Sequence, residues 1–377
     1  MAIYLIVLGI VMVLGCCVEI GKVNHWNAMF VRGNRTWTIP LTGIFWALIF
    51  VTLTLFGGLR YMVGTDFEGY CEIFENIAAD WYVETYAGTE RGYVWLNRLI
   101  SLFTQESQVV IFITNMIICW LGVTALRKYC RFAPFGIYIF FTTLYYSSFN
   151  LIRQGMAAAF VFLAVGYAAD RKMIKSILLV LAGTLFHKTA LLMVPVLILM
   201  QFQYKPVVYW VVYLLCAAAS LSERGRDIIA NQLVGRFYPY VANDAATFQV
   251  DFSPTQVILC LLYMLLCLYY WKKMRERNQG NIVYINLSIL IFMLYSVFFW
   301  LPMWSRLNMY FICLYALIVP AAVDCEDSRR LKTFYYGVLL GILLFFYIAP
   351  TLMGGGDWYY GTFFEKLAIL REEAMWP

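Results

Sequence analysis

Histidine is nearly absent from this 377-residue sequence, with two in all, one of them His187. Two histidines cannot build a histidine-rich metal site, and no Walker, Rossmann, zinc-finger or serine-hydrolase spacing is present. Charge is scarce as well, at 13% of residues, where soluble domains run near a quarter. With 63% hydrophobic residues and a mean hydropathy of +0.72, that scarcity excludes a soluble globular enzyme and implies a polytopic membrane protein. Acid clusters inside the apolar runs, which a proton pump needs, are missing. The opening run has neither a basic leader nor a small-residue cleavage site, so it is expected to stay as a first span. The net charge of +6 implies no nucleic-acid partner, because the basic residues collect in short loops between apolar runs. Ten cysteines fall almost entirely within or beside those runs, and Cys71 alone lies in the polar stretch 59–106. No disulfide framework is expected. What is abundant is aromatic: the 12 Trp, 28 Tyr and 29 Phe suit interfacial belts and a sugar-lined cavity.

Apolar runs lie at 3–20, 40–58, 107–126, 133–149, 154–170, 176–200, 206–222, 255–271, 282–300, 307–323 and 333–350. Basic clusters at Arg127, Lys128 and Arg131, and at Arg171, Lys172 and Lys175, mark cytoplasmic loops, as do Lys22, Arg32 and Arg35. The N-terminus and the segment 59–106, with its eight acids, are then expected outside. Lys272, Lys273, Arg275 and Arg277 also belong inside, yet three apolar runs separate them from Lys175. Three single crossings cannot begin and end on the same side. The first of these runs is interrupted by Phe186-His187-Lys188-Thr189, so a broken or re-entrant hairpin at 176–200 is the simplest repair. The alternative is that one of the other two runs does not cross. The expected fold is an all-α polytopic membrane protein, a single membrane domain over 1–377. It has about ten full transmembrane helices plus the hairpin, outer segments 59–106 and 223–254, and an outer tail 351–377.

The candidate site residues stand at the outer ends of these runs. Thr65-Asp66-Phe67-Glu68 has capping-box spacing, which places Asp66 in a first helical turn and Tyr70 one turn further on the same face. Arg60 precedes that helix, Arg153 and Gln154 open the fifth span, His187 and Lys188 sit at the hairpin break, and Arg306 lies near the start of the tenth. An arginine at a span edge is most often an interfacial anchor. Four basic sites opening toward one face fit better with a phosphorylated lipid headgroup. The small residues after Arg153 permit close helix contact, and a rigidly held guanidinium forks onto phosphate oxygens.

At these residues the chain resembles the EpsG family, whose members are Wzy-like polysaccharide polymerases of bacterial envelopes. The resemblance is carried by Gly64-Thr65-Asp66-Phe67 with Tyr70 behind Arg60, by Ile152-Arg153-Gln154 with its alanines, and by Phe186-His187-Lys188-Thr189-Ala190. It runs from the first span to about residue 320, and the tail after Tyr347 is longer than the family leads one to expect. It implies polymerisation of an exopolysaccharide, capsule or O-antigen, the growing chain passing from undecaprenyl pyrophosphate to a hydroxyl of a lipid-linked repeat unit. It also implies a GT-C-like fold, with Asp66 matching the first-loop acid of GT-C glycosyltransferases. Asp66 and His187 are the expected catalytic residues. Arg60, Tyr70, Arg153, Gln154, Lys188 and Arg306 are the expected substrate contacts, with no metal and no cofactor. Expected partners are the lipid-linked oligosaccharide, membrane lipid, and a chain-length regulator or flippase. The expected place is the bacterial cytoplasmic membrane, with the site toward its outer face. A single-sugar transferase using a polyprenyl-phosphate donor, or a lipid-linked oligosaccharide transporter, remain alternatives.

Overall fold

The computed structural model describes residues 2–32, 35–79, 88–230, 253–301, 304–352, 361–362 and 365. Its regular structure is helical apart from two short antiparallel strand pairs. In chain order it begins with α1 (Ala2–Val23), the pair β1 (Asn27–Arg32) and β2 (Arg35–Pro40), α2 (Leu41–Gly58) and the two-residue β3 (Arg60–Tyr61). There follow α3 (Phe67–Ala78), α4 (Arg91–Ser101), α5 (Gln108–Tyr129), α6 (Ala133–Phe140) with a π-helical turn over Phe141–Tyr145, and α7 (Ile152–Ala169). Next come α8 (Met173–Thr184), a 3-10 turn at Lys188–Leu192, α9 (Met193–Leu199), α10 (Pro206–Leu221), α11 (Glu223–Asp227) and α12 (Pro254–Tyr269). The chain continues through α13 (Trp271–Arg277), α14 (Ile282–Val297), α15 (Trp304–Ile312), α16 (Tyr315–Val323) and α17 (Arg329–Leu352), then β4 (Gly361–Thr362).

Two compact units divide these elements. One holds 1–159, 185–187 and 333–377; the other holds 160–184 and 188–332. In the first unit α2 packs against both α1 and α5. Trp46, Ile49, Leu53 and Phe56 of α2 are buried, while Ile44, Leu48, Val51 and Leu55 are exposed. Both sets recur at helical spacing, so one apolar stripe meets protein and the other is left for lipid. Lipid offers no hydrophobic reward for helix association, and polar contacts help to fix the pairing. Asn115 of α5 donates to the carbonyls of Leu53 and Thr54, and the Tyr145 hydroxyl donates to Leu53 at 2.7 Å.

Among the described residues six helices are long and apolar enough to cross a bilayer: 3–23, 41–58, 108–129, 152–169, 279–297 and 306–323. Two bent pairs raise the number to at most eight, which is fewer than the ten crossings expected from hydropathy. At three of the expected runs a local feature accounts for the difference. At 206–222 the helix stops at Ser222, whose hydroxyl caps a new helix by accepting from Gly225, and the axis turns by 98°. At 255–271 the axis turns by 62° between α12 and α13. The run 133–149 yields a helix over Ala133–Tyr145, about 20 Å long where some 30 Å is needed. The break at 176–200 is present: α8 stops at Thr184, and the apolar helix over Lys188–Leu199 that follows is no longer than α8. The run 333–350 falls inside α17. Of the outer segment 223–254, residues 231–252 lie outside the described residues, as does most of the tail 351–377. The described part of the tail is informative, because Gly361–Thr362 pairs antiparallel with Tyr61 and Arg60.

Candidate active site

The chain leaves α2 through β3 and a tight turn. Met62 has φ +55° and Gly64 φ +99°, the left-handed region that favours glycine. Space demands glycine too: a Cβ at Gly64 would lie 2.5 Å from Asn150 Oδ1 and 2.7 Å from the Phe149 carbonyl. The turn is seated on Asn150, whose Oδ1 accepts the Thr65 N–H at 2.9 Å. The expected capping box does not form. Helix α3 starts at Phe67, and Asp66 is its N-cap without a side-chain bond to the helix. The Thr65 hydroxyl instead donates to Asp66 Oδ1 at 3.3 Å, and Asn150 takes over the turn's backbone. Asp66 is exposed.

Arg60 is 1% exposed. Its guanidinium donates to the Gly57 carbonyl and stacks 4.5 Å from the Phe149 ring centroid, while Gln108 Nε2 donates to the Gly58 and Arg60 carbonyls at 2.9 Å each. A cation against the last carbonyls of α2 complements the negative end of that helix.

The centre of the site is Glu90, the N-cap residue of α4. Its Oε2 meets Arg153 Nη1 at 2.6 Å and its Oε1 meets His187 Nδ1 at 2.8 Å. The three side chains are 10%, 26% and 13% exposed in the order Glu90, Arg153, His187, so the cluster is sheltered without being sealed. Each partner arrives on a fixed support. Arg153 stands in the first turn of α7 beside the buried Ile152 and Gln154. His187 is delivered by the break after α8, where the Leu185 carbonyl accepts the Gly92 N–H at 2.9 Å. A Cβ at Gly92 would lie 2.6 Å from that carbonyl oxygen, which explains the glycine two residues past Glu90. Tyr70 is buried close enough to Arg153 for the guanidinium charge to bear on its phenol, and its ring meets Tyr93 edge-on at 5.9 Å.

Burial alone pushes the Glu90 carboxyl up, but the hydrogen bond to His187 and the charges of Arg153 and His187 outweigh it and hold it below the usual carboxylate value. Burial pushes the Tyr70 phenol up, against the opposing pull of Arg153. The lowered value keeps Glu90 a carboxylate, with one oxygen on each partner.

The structure thus gathers Tyr70, Arg153 and His187 around a residue the motifs do not contain. Asp66 lies one turn before Tyr70, whose backbone N–H donates to the Asp66 carbonyl at 3.1 Å. Gln154 is buried one residue past Arg153. Lys188, exposed, and Arg306, half-buried, belong to the second unit, where Thr189 and Tyr310 share a buried hydroxyl pair at 2.9 Å. Among the described residues no group of three or more His, Cys, Asp or Glu side chains is arranged to hold a metal. The sequence carried one signal for Glu90: an acid immediately ahead of an amphipathic helix, where an N-cap belongs.

The EpsG family model matches residues 43–361, which include the whole cluster. The chain belongs to the EpsG family. The EpsG match begins at the second span rather than the first and runs past residue 320 to β4, taking in part of the tail. Membership in EpsG suggests a Wzy-like, polysaccharide-related membrane protein with a glycosyltransferase-like function, acting among lipid-linked polysaccharide intermediates. No curated protein and no solved structure matches the chain.

Proposed function

We propose that this protein is a glycosyltransferase that polymerises an exported polysaccharide at the outer face of the cytoplasmic membrane. The growing chain is carried on undecaprenyl pyrophosphate. A hydroxyl of the incoming lipid-linked repeat attacks the anomeric carbon, a new glycosidic C–O bond forms, and the bond to pyrophosphate breaks with its electron pair on the leaving oxygen. His187 Nε2 takes the hydroxyl proton, Glu90 holds the imidazole in the required tautomer, and Arg153 receives the charge developing on the pyrophosphate. Proton removal by a positioned base is worth roughly 10²–10⁴ in rate. A preorganised donor at the developing charge adds about 3 kcal/mol. Asp66, exposed beside Tyr70, orients the acceptor sugar.

The observation that supports this reading is the convergence of an imidazole and a guanidinium, from separate stretches of chain, on one carboxylate. The test is purified protein in vesicles with a single lipid-linked repeat unit. A ladder of products is expected, and His187→Ala abolishes it while the protein stays folded at the assay temperature. One added sugar would indicate a single-sugar transferase, and the absence of any new glycosidic bond would overturn the enzyme reading.

A further inference from the structure

We propose that the Glu90 carboxylate stands in for the pyrophosphate of the substrate, holding Arg153 while the site is empty and exchanging places with the incoming anion. The inference rests on the polymerase reading and adds to it a step of binding and release.

Glu90 uses both oxygens, one on each partner, at 2.6 and 2.8 Å. An arginine so engaged has its charge offset, and an incoming anion must compete with the carboxylate for Nη1. The supports decide which partner moves. Helix α7 is packed nearly all round, with Ile152, Gln154 and Met156 through Ala159 at 3% exposure or less, so Arg153 has a fixed base. Glu90 sits before the first turn of α4, on a side chain with three rotatable bonds. Arg153 also has a donor in reserve: its Nε is buried and lacks a hydrogen-bond partner among the described residues. An anion with many acceptor oxygens satisfies more of that guanidinium than one carboxylate oxygen does.

Charge sets the selectivity. Glu90 presents one negative charge, so a pyrophosphate with more displaces it readily and a singly charged headgroup does so poorly. The exchange also runs backward. After transfer the lipid pyrophosphate must depart, and return of the carboxylate to Arg153 competes it away. Glu90 thereby weakens product binding and hastens turnover, while its other oxygen stays with His187.

The experiment measures binding of two probes, inorganic pyrophosphate and undecaprenyl pyrophosphate in nanodiscs, alongside the polymerisation assay. Glu90→Gln is expected to bind both probes at least tenfold more tightly than wild type and to turn over more slowly. The double variant Glu90→Gln with Arg153→Gln is expected to lose the gain. Tighter binding separates exchange from a purely structural role, which predicts equal or weaker binding. Unchanged or weaker binding by Glu90→Gln, with a wild-type polymer ladder intact, overturns the exchange alone; absence of the ladder overturns both readings. A gain confined to free pyrophosphate overturns the exchange for the lipid substrate. If Glu90→Gln does not accumulate, Glu90→Asp, with its shorter arm, carries the same test with the same two outcomes.

Discussion

His187 Nδ1 lies 2.8 Å from Glu90 Oε1, although ninety-seven positions separate the two residues. Neither side chain explains itself alone. A histidine at a helix break is a common polar cap, and an acid at a helix start is a common N-cap. Joined, and with Arg153 on the second oxygen, they supply what the proposed mechanism needs: a base, its orienting group and a cation for an anionic leaving group.

The first expectation concerns pH. The folded-state value of Glu90 is depressed by His187 and Arg153, so its contribution to stability is present above the ordinary carboxyl value of 4.5 and is lost as pH falls through the lower folded value. Thermal unfolding of wild type and Glu90→Gln should differ by a constant amount from pH 7 to 5 and converge below 4.5. A gap that persists unchanged at the acid end would show that the ion pairs contribute nothing.

Two arginines should respond in opposite ways to the same substitution. Arg60→Lys loses the stack on Phe149 and the rigid fork at Gly57, and is expected to cost about 1–2 kcal/mol of stability with activity per folded molecule nearly kept. Arg153→Lys is expected to unfold near the wild-type temperature and lose activity about tenfold or more. Melting curves beside rates per folded molecule check both, and the reverse pattern would exchange their roles.

Gly64→Ala is expected to be disproportionately harmful for one methyl group. It combines a strained φ with a clash against Asn150 and Phe149, at a cost of about 1–3 kcal/mol. The Thr65–Asn150 bond should go with it, so Asn150→Leu, which leaves the Thr65 N–H without its acceptor, should lower the melting temperature in the same direction. Additive losses in the double variant would argue against a shared mechanism.

Asp66→Asn is expected to reduce polymerisation severely and leave a measurable residue. The amide keeps a hydrogen-bond acceptor for a sugar hydroxyl, and the proposed mechanism assigns the base to His187. Complete loss, with an acid limb of the pH–rate profile that follows a carboxylate, would move the base to Asp66. A normal rate would remove Asp66 from the chemistry.

Much of this was legible in the sequence. Composition declares the helical membrane fold, and the helix ends at Gly58, Tyr129 and Ala169 fall near the limits read from apolar runs. Arg153 and His187 stand out because they sit at a span end and at an unusual break, and Tyr70 because helical spacing puts it on the face of Asp66. Glu90 did not stand out: it is one of eight acids in a polar stretch, and its meaning comes from partners far along the chain. The capping box failed for a related reason. Thr65 and Glu68 have the right spacing, but Asn150 and Gly64 set the local backbone, and spacing cannot reveal a distant competitor. Spans were overcounted because a hydropathy window averages across bends such as the one at Ser222. The β1–β2 pair passed unnoticed inside what reads as a short basic loop.

The pairing of Arg60–Tyr61 with Gly361–Thr362 has a consequence for counting. Backbone hydrogen bonds do not reach across a bilayer whose hydrocarbon core is about 30 Å thick. Both strands therefore lie on one side, and the chain that departs at Tyr61 has come home by Gly361. Full passages between them must be even in number, whichever side that is. A bent pair such as Pro206–Leu221 with Glu223–Ala230 cannot be promoted to a span by itself; another helix between the strands must change status with it. In this stretch, crossings are gained or lost in twos.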